Sequence, residues 1–138
     1  MTLKFNQSTT DDLEKHLIRC DRLFYPVLSS RVDIKKYAEK INLRGNTIEY
    51  WQDQNLIGCI AYYNNDDENE AFITSVSVEE EYQSRGLAQK MLVEIENRIN
   101  FTRIRLEVHK NNEKAMSLYL KNGFKLDSSS NEFNILIK

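Results

Sequence analysis

The chain has 138 residues, of which 41% are hydrophobic and 29% are charged, and its net charge at pH 7 is −2. This composition excludes a disordered chain, and the length predicts one domain spanning residues 1–138. Without an excess of positive charge, no nucleic-acid partner is expected. No apolar run approaches the ~20 residues of a membrane span and no signal peptide is recognisable, so we expect no membrane association and a cytoplasmic protein.

The two cysteines, Cys20 and Cys59, lie far apart in the sequence, and neither belongs to a recognisable metal-binding pattern. We expect both to be reduced, buried thiols. Neither has an evident base partner or companion metal ligand, so we predict neither a nucleophilic cysteine nor a metal site.

The N-terminal part is predicted to form one strand and two helices. Residues 3–7 are a strand candidate, and Asp11 and Asp12 suit the first turn of a helix that ends before Pro26. The pair Ser29-Ser30 is predicted to cap a second helix, which ends before Gly45. Apolar residues recur at helical spacing in both helices: Leu13, Leu17, Cys20 and Phe24 in the first, and Ile34, Tyr37, Ala38 and Ile41 in the second.

The middle of the chain is predicted to form three strands. Residues 47–52 and 56–63 flank a short polar turn at residues 53–55, so a β-hairpin is expected. Residues 64–70 are polar and acidic, which indicates a solvated loop. Residues 71–78 are rich in β-branched side chains and are predicted to form the third strand.

After Gly86 the hydrophobic period changes to that of a helix. Its apolar stripe contains Leu87, Met91, Leu92, Ile95 and Ile99. The segment Arg103–His109 then alternates as a strand does, with apolar side chains on one face and charged ones on the other. We therefore expect a helix followed by a half-buried strand.

A last helix and a final strand pair complete the predicted elements. Asn111 or Asn112 can cap this helix, and Gly123 is its C-terminal stop. Residues 124–126 and 132–137 are the two strand candidates. The resulting order, βααβββαβαββ, predicts a mixed-sheet α/β domain.

The turn at residues 83–88, which leads into the helix after Gly86, has the chemistry of an anion site. Gly86 lacks a Cβ atom and so permits close approach to the backbone. The first helical turn has unpaired N–H groups at the positive end of the helix dipole, and Arg85 could add a charge. Many such turns bind nothing, so a plain structural turn remains the alternative. A dinucleotide fingerprint and a P-loop are both missing from the sequence.

Two motifs resemble those of the Gcn5-related N-acetyltransferases. Residues 83–88, Gln-Ser-Arg-Gly-Leu-Ala, resemble the family's Q/R-x-x-G-x-G/A signature, and residues 112–124 are similar to its N-x-x-A-x-x-x-Y-x-x-x-G-F stretch. There are two mild departures: Ala88 stands where glycine is commoner, and residues 79–81 lack a frequent proline. The resemblance implies the acyl-CoA N-acyltransferase fold, a mixed and mostly antiparallel sheet of six to seven strands flanked by about four helices.

By the same resemblance, the cofactor is acetyl-CoA. The amides of the turn would hold its pyrophosphate, and the backbone of the preceding strand would pair with the pantetheine arm. Asn112 corresponds to a position that contacts this arm, although it could be only a helix cap. The implied cofactor residues are Val76, Val78, Gln83, Ser84, Arg85, Gly86, Leu87, Ala88 and Asn112.

Tyr119 aligns with the family's usual general acid. A phenol with a pKa near 10 can donate a proton to a departing thiolate, so the role is chemically sensible. The same helix carries Ala115, Met116 and Leu118, and Tyr119 could instead be a core aromatic.

The general base is less well defined by the sequence. Glu107 is similar in position to the basic glutamate of the family branch that acts on protein N-termini. Its alternative role is a structural carboxylate paired with Arg105 or His109 on the same strand face. Other candidates for the base are Glu70 and a water held by Thr74 or Ser75.

The variable N-terminal half is expected to bind the acceptor, with Tyr25, Arg31 and Tyr37 as substrate-binding candidates. A solvated helix face, with Tyr37 in the core, is the alternative. The implied reaction is direct attack of a primary amine on the thioester, with a small molecule or amino sugar favoured over a protein N-terminus or lysine. A CoA-binding regulatory module without catalysis is a further alternative, and the chain could be a monomer or a homodimer.

Overall fold

The computed structural model describes residues 1–98, 100 and 102–138, which form seven strands and four α-helices. In chain order these are β1 (Thr2–Phe5), α1 (Thr10–Cys20), α2 (Ile34–Arg44), β2 (Asn46–Gln52), β3 (Asn55–Asn65), β4 (Glu70–Val78), α3 (Leu87–Arg98), β5 (Arg103–His109), α4 (Glu113–Lys121), β6 (Lys125–Ser129) and β7 (Phe133–Ile137). Three short 3-10 helices lie between them, at Asp21–Leu23, Leu28–Ser30 and Glu80–Tyr82. No helix in these ranges is long and apolar enough to cross a membrane.

All seven strands belong to one sheet with the order β1-β2-β3-β4-β5-β7-β6. Neighbouring strands are antiparallel except for β4 and β5, which are parallel. This arrangement confirms the predicted mixed, mostly antiparallel sheet, and the order of helices and strands is the predicted one.

The helices cover both faces of the sheet, because the strands direct alternate side chains to opposite sides. On one face α1 and α2 pack against Trp51, Cys59 and Ala61. On the other face α3 and α4 pack against Ile48, Ile60 and neighbouring apolar side chains. The apolar stripe predicted for α3 is buried on this second face at Leu87, Met91, Leu92 and Ile95; Ile99, the last predicted member, lies outside the described residues.

The N-terminal cap was predicted correctly for α4 and wrongly for α2. Asn112 caps α4, since its side-chain oxygen accepts the N–H of Ala115 at 3.3 Å. The prediction that Ser29-Ser30 caps α2 is wrong. Asp33 is the N-cap and accepts the N–H of Lys36 at 3.1 Å. Both sites carry side chains that can cap, and the serines belong instead to a short 3-10 helix.

Other boundaries also differ from the prediction. The first strand, predicted at residues 3–7, covers Thr2–Phe5. The first helix ends at Cys20, and a 3-10 helix rather than further α-helix precedes Pro26. The predicted loop at residues 64–70 is shorter, because Asn64, Asn65 and Glu70 continue the β3–β4 ladder despite their polarity. The strand predicted at residues 124–126 runs from Lys125 to Ser129, where its exposed side chains gave no alternating signal.

Candidate active site

A cleft opens where the two parallel strands of the sheet separate. β4 and β5 pair only between Glu70–Ile73 and residues 103–106, and further along they have no ladder in the described part of the chain. A cavity of about 610 Å³ fills the gap, lined by the ends of both strands, the start of α3, the inner side of α4 and the segment that precedes α2. The two open strand ends therefore face each other across this space.

Glu70 holds the two strands together at their paired end. Its buried carboxylate accepts hydrogen bonds from Arg103 Nε at 3.0 Å and from Arg105 Nε at 2.9 Å. Burial raises the pKa of Glu70, but the hydrogen bonds and charges of the two guanidinium groups outweigh this and lower it below its ordinary value. Glu70 does not line the cavity. Glu70 therefore has a structural role, and it lies away from the open end of the cleft, where a general base would be needed.

A β-bulge marks the point where the strands part. Tyr62 pairs with Ile73 and Ala61 pairs with Ser75, so Thr74 is the extra residue on β4. Tyr37 of α2 donates its hydroxyl to the Thr74 carbonyl at 3.0 Å and lies 2.7 Å from the Thr74 hydroxyl. The bulge carbonyl is therefore satisfied by α2 and does not require β5.

Beyond the bulge, β4 presents a free backbone edge to the cleft. The N–H of Glu79 bonds to Ile57 on β3 at 2.9 Å, while Gln83 Nε2 reaches the Val78 carbonyl at 3.1 Å from the opposite side. Successive residues of a strand direct their backbone groups to opposite edges. Val76 and Val78 consequently direct their N–H and C=O groups into the cleft. The Val78 carbonyl accepts from Gln83, and the other three groups could pair with an extended amide chain.

The end of this strand is anchored to α1 by a buried polar network. His16 Nε2 lies 2.8 Å from Ser77 Oγ, and His16 Nδ1 lies 3.1 Å from a Glu79 oxygen. Arg19 completes the network with an ion pair to Glu79 at 3.0 Å. Burial raises the pKa of Glu79, but His16 and Arg19 outweigh it and lower the value overall. The network fixes β4 in position beside the cleft.

The turn into α3 has the backbone geometry of an anion site. Ser84 and Gly86 have φ angles of 65° and 76°, in the left-handed region that residues other than glycine rarely adopt. A Cβ atom added to Gly86 would meet nothing within 4 Å, so space is open there for a ligand. The first helical bond runs from Lys90 N–H to the Gly86 carbonyl at 3.0 Å. The N–H groups of the first turn, residues 87–89, therefore have no acceptor within the helix.

Two positively charged side chains, Arg85 and Lys114, lie near this turn, and of the two it is Lys114 that lines the cavity. Arg85 lies over the ring of Tyr82, 5.2 Å from its centroid, and does not line the cavity. Lys114, in the first turn of α4, lines the cavity and donates to Gln83 Oε1 at 3.2 Å. Lysine is unfavourable at the positive end of a helix dipole, which in retrospect is a sequence signal for an anion partner.

Tyr119 projects from α4 into the cavity lining while most of its ring is buried. The ring packs edge-on against Phe124, with centroids 5.8 Å apart. Its hydroxyl has no hydrogen-bond partner among the residues that the structure describes. Burial raises the pKa of Tyr119 well above the ordinary value for tyrosine, so the hydroxyl keeps its proton at neutral pH.

Glu107 lies on β5 just past the point of separation and is exposed within the cavity lining. The structural pairings considered for it do not occur, because Arg105 binds Glu70 and the His109 ring packs between two aromatic rings. In the described residues its carboxylate has no ion-pair partner. Glu107 is thus free to accept a proton or to bind an ammonium group.

An aromatic group forms the cleft wall on the α1–α2 side. The His109 ring lies between Tyr25 and Phe133, with centroid distances of 4.8 Å and 5.2 Å. The guanidinium of Arg31 lies over the Phe133 ring, 5.5 Å from its centroid. His109 and Phe133 were not predicted as site residues, because it is the β5–β7 pairing that brings them beside Tyr25 and Arg31.

The cavity brings together twelve of the fourteen predicted site residues. They are Tyr25, Arg31, Val76, Val78, Gln83, Ser84, Gly86, Leu87, Ala88, Glu107, Asn112 and Tyr119. Arg85 and Tyr37 do not line it; Tyr37 is half-buried and reaches the cleft through its hydrogen bonds to Thr74. Asn112 both caps α4 and lines the cavity, which is compatible with either role considered for it.

The cysteines lie away from this chemistry. Cys20 and Cys59 are buried free thiols, and neither lines the cavity. Burial raises the pKa of Cys20 to about 12 and raises that of Cys59 well above its ordinary value. Both therefore remain protonated and poorly nucleophilic at neutral pH.

Solved structures of acetyltransferases share this fold over nearly the whole chain. The PaiA N-acetyltransferase from Thermoplasma acidophilum, in complex with coenzyme A, is 21% identical with a TM-score of 0.76, covering 100% of this chain and 99% of that chain. Naa50 from Arabidopsis thaliana, in complex with the bisubstrate analogue CoA-Ac-MVNAL, is 21% identical with a TM-score of 0.73, covering 100% and 99%. The Bacillus subtilis acetyltransferase, in complex with CoA, is 16% identical with a TM-score of 0.74, covering 98% and 95%.

At these identities the likeness to solved structures shows a common fold. A comparison with curated protein sequences finds no match. The sequence model of the acetyltransferase (GNAT) family matches residues 10–124, which include both motifs and most of the chain. The chain therefore belongs to the GNAT family of acetyltransferases.

Proposed function

We propose that this chain transfers an acetyl group from acetyl-CoA to a primary amine, with a small molecule or amino sugar as the acceptor. The observation that carries the proposal is the separation of β4 from β5 directly beside the start of α3. A free strand edge, a turn with open space over Gly86 and two candidates for proton transfer lie around one cavity, which supports the proposal.

The cleft fits the chemistry of an acyl-CoA. The backbone groups of Val76 and the N–H of Val78 can pair with the amides of a pantetheine arm, as a further strand would, while the Val78 carbonyl accepts from Gln83. The unpaired amides at the start of α3 and the space over Gly86 suit a pyrophosphate. The coenzyme A complexes of the Thermoplasma and Bacillus enzymes support the same assignment, since those proteins share this fold.

The reaction needs two proton transfers besides acyl transfer. The amine nitrogen forms a bond to the carbonyl carbon, the C–S bond breaks, the nitrogen loses a proton and the sulfur gains one. Glu107, which is exposed in the cleft and has no ion-pair partner in the described part of the chain, accepts the proton of the amine. Tyr119, whose raised pKa keeps its hydroxyl protonated, donates to the sulfur. No covalent enzyme intermediate is needed, since the buried thiols do not reach the cavity.

A protein N-terminus is the second candidate acceptor. The specific observation that favours it is the likeness to Arabidopsis Naa50, whose complex contains the analogue CoA-Ac-MVNAL. Transfer to a peptide bearing a free N-terminus, compared with transfer to small amines at equal concentration, distinguishes the two acceptor classes. Transfer to neither, with acetyl-CoA still bound, would indicate a regulatory CoA-binding module.

The cofactor site is tested by calorimetric titration with acetyl-CoA and coenzyme A. Gly86→Asp and Gly86→Asn are matched variants, because both side chains have the same shape and both introduce a Cβ atom at a left-handed φ angle. Only the aspartate adds a negative charge beside the predicted pyrophosphate. We expect saturable binding by the wild type and a substantially weaker affinity for Gly86→Asp than for Gly86→Asn. Equal affinities in the two variants would contradict the assignment of this turn to the pyrophosphate.

Catalysis is then tested by following thiol release in the presence of amines. Amine-dependent release, with the acetylated product identified by mass spectrometry, would support the proposed reaction. Binding without release for every amine and peptide would contradict it.

A further inference from the structure

The charge of the cleft is opposite to that of the whole protein. The chain has a net charge of −2, but the charged residues that line the cavity are Arg22, Arg31 and Lys114 against Glu107, which is three positive and one negative. Lys114 contacts Gln83 beside the start of α3, where an anionic cofactor would account for it. Arg22 and Arg31 belong to the segment between α1 and α2, on the opposite side of the sheet. Their two positive charges are not explained by the cofactor.

Arg31 is exposed, and its guanidinium contacts an aromatic side chain of the cleft wall. Its guanidinium lies 5.5 Å from the centroid of the Phe133 ring, a cation–π contact that orients the planar group. It is also close enough to Tyr37 to oppose the rise in pKa that burial causes there. Tyr37 bonds to Thr74, so this places the charge of Arg31 near the bulge where the strands separate. Within the described ranges Arg31 has no carboxylate partner.

The strand register relates Arg31 to Glu107. Phe133 is the antiparallel partner of His109, and Glu107 lies two residues before His109 on the same face of β5. Two residues along a strand span roughly 7 Å. The Phe133 ring that Arg31 covers and Glu107 consequently lie on one face of the sheet, offset by two residues along neighbouring strands. An acceptor between them would direct its ammonium group to Glu107 and its other end to Arg31.

His109 and Tyr25 add hydrogen-bond donors at the Arg31 end. The N–H of Asn111 donates to His109 Nδ1 at 3.1 Å, so in neutral His109 the ring proton is on Nε2. Tyr25 is half-exposed at the cavity mouth with its ring edge against His109. The groups opposite Glu107 therefore comprise guanidinium, imidazole and phenol donors, and Glu107 carries the one carboxylate among the described lining residues.

We propose that the acceptor is a small primary amine carrying an anionic group, carboxylate or phosphate, and that Arg31 determines this specificity. The inference rests on the proposed function and narrows its substrate class. Arg31 would bind the anionic group through charge-assisted hydrogen bonds, and Glu107 would bind and then deprotonate the ammonium group. A neutral amine of the same size would leave the Arg31 guanidinium without a partner.

The test compares matched amine pairs in the thiol-release assay: glucosamine 6-phosphate with glucosamine, and serine with serinamide. The variants are Arg31→Gln, Arg31→Lys and the control Lys35→Gln, which removes one positive charge from α2 outside the cavity. Arg31→Gln is expected to raise KM for the anionic member of the preferred pair about 10- to 100-fold and to change KM for the neutral member little. Arg31→Lys should restore part of the preference for the anionic over the neutral member, and Lys35→Gln should behave as wild type. Taking each variant-to-wild-type ratio cancels the different pKa values of the amines.

The two pairs distinguish a phosphate from a carboxylate as the recognised group. If Arg31→Gln raises KM equally for the anionic and the neutral member, with an unchanged melting temperature, the inference is overturned while the acetyltransferase function remains intact. Turnover confined to peptides would overturn it as well. Absence of turnover with every amine in the wild type would overturn the proposed function itself.

Discussion

Replacing Tyr119 by phenylalanine removes one oxygen atom and retains the ring that packs against Phe124. Because the hydroxyl has no hydrogen-bond partner among the described residues, the change in the free energy of unfolding should stay below about 0.5 kcal/mol. A positioned general acid contributes about 100- to 10,000-fold to turnover, so kcat should fall by that factor, equivalent to about 2.7–5.5 kcal/mol in the barrier. The affinity for acetyl-CoA should be retained, since the backbone and helix-start contacts are unchanged.

Tyr62→Phe is the matched control for this substitution. Tyr62 is also a buried tyrosine of the core on the α3–α4 face, but it does not line the cavity. The assay is thiol release at saturating amine and acetyl-CoA, with thermal melting for each variant. Tyr62→Phe should keep wild-type kcat. If Tyr119→Phe is folded and retains kcat within about threefold of wild type, Tyr119 is not the general acid.

The pH dependence of turnover provides a second check on Tyr119. The protonated hydroxyl is the active form, and burial raises its pKa above the ordinary value of about 10. Activity that depends on this proton is lost only as pH rises through the raised pKa. Wild-type kcat should therefore show no decline below about pH 9 from this group. A decline in the neutral range that disappears in Tyr119→Phe would contradict the raised pKa.

Three further predictions concern other residues. Glu107→Gln should lower kcat at pH 7 by about 100-fold, with partial recovery at higher pH as more of the amine is free base; an unchanged pH–rate profile would remove Glu107 as the base. Glu70→Gln should destabilise the fold by about 2 kcal/mol at pH 7 in urea unfolding. Because the pKa of Glu70 is lowered, its stabilisation is present above about pH 4.3 and is lost as pH falls through the folded pKa, so the variant should show a shallower acid decline. Cys20 and Cys59 should resist iodoacetamide at pH 8 in the folded protein, and rapid labelling measured by mass spectrometry would contradict their raised pKa values.

The sequence was most informative where a local pattern sufficed to specify the structure. The clean alternation of Arg103–His109 predicted β5 with its observed bounds, and Gly86 preceded the start of α3 as expected. The cap of α4 was narrowed to two asparagines, of which Asn112 is the one that accepts the helix N–H. In each case the side chains that determine the element lie within a few residues of one another.

The separation of the strands could not be predicted from local patterns, because the contacts on either side of it join residues that are distant in the sequence. Glu70 binds two arginines that lie 33 and 35 residues further along the chain. Tyr37 satisfies the carbonyl of Thr74, which is 37 residues away. Only the family resemblance indicated that the backbone of this strand would be open to pair with a pantetheine arm. The positions of His109 and Phe133 in the wall likewise follow from the β5–β7 pairing, which no local pattern reveals.

The bulge at Thr74 joins the two halves of the cleft. Its carbonyl and hydroxyl contact Tyr37, which belongs to the α1–α2 layer with Arg31, while the next residues of β4 present the free edge that suits the cofactor. The cofactor contacts we propose come mainly from the backbone of β4 and α3, and the acceptor contacts come mainly from side chains of the segment between α1 and α2. Backbone contacts tolerate many side-chain changes, whereas side-chain contacts do not. Substitutions around Arg31 can therefore change the acceptor without altering the groups that hold acetyl-CoA, as long as Tyr37 continues to support the bulge.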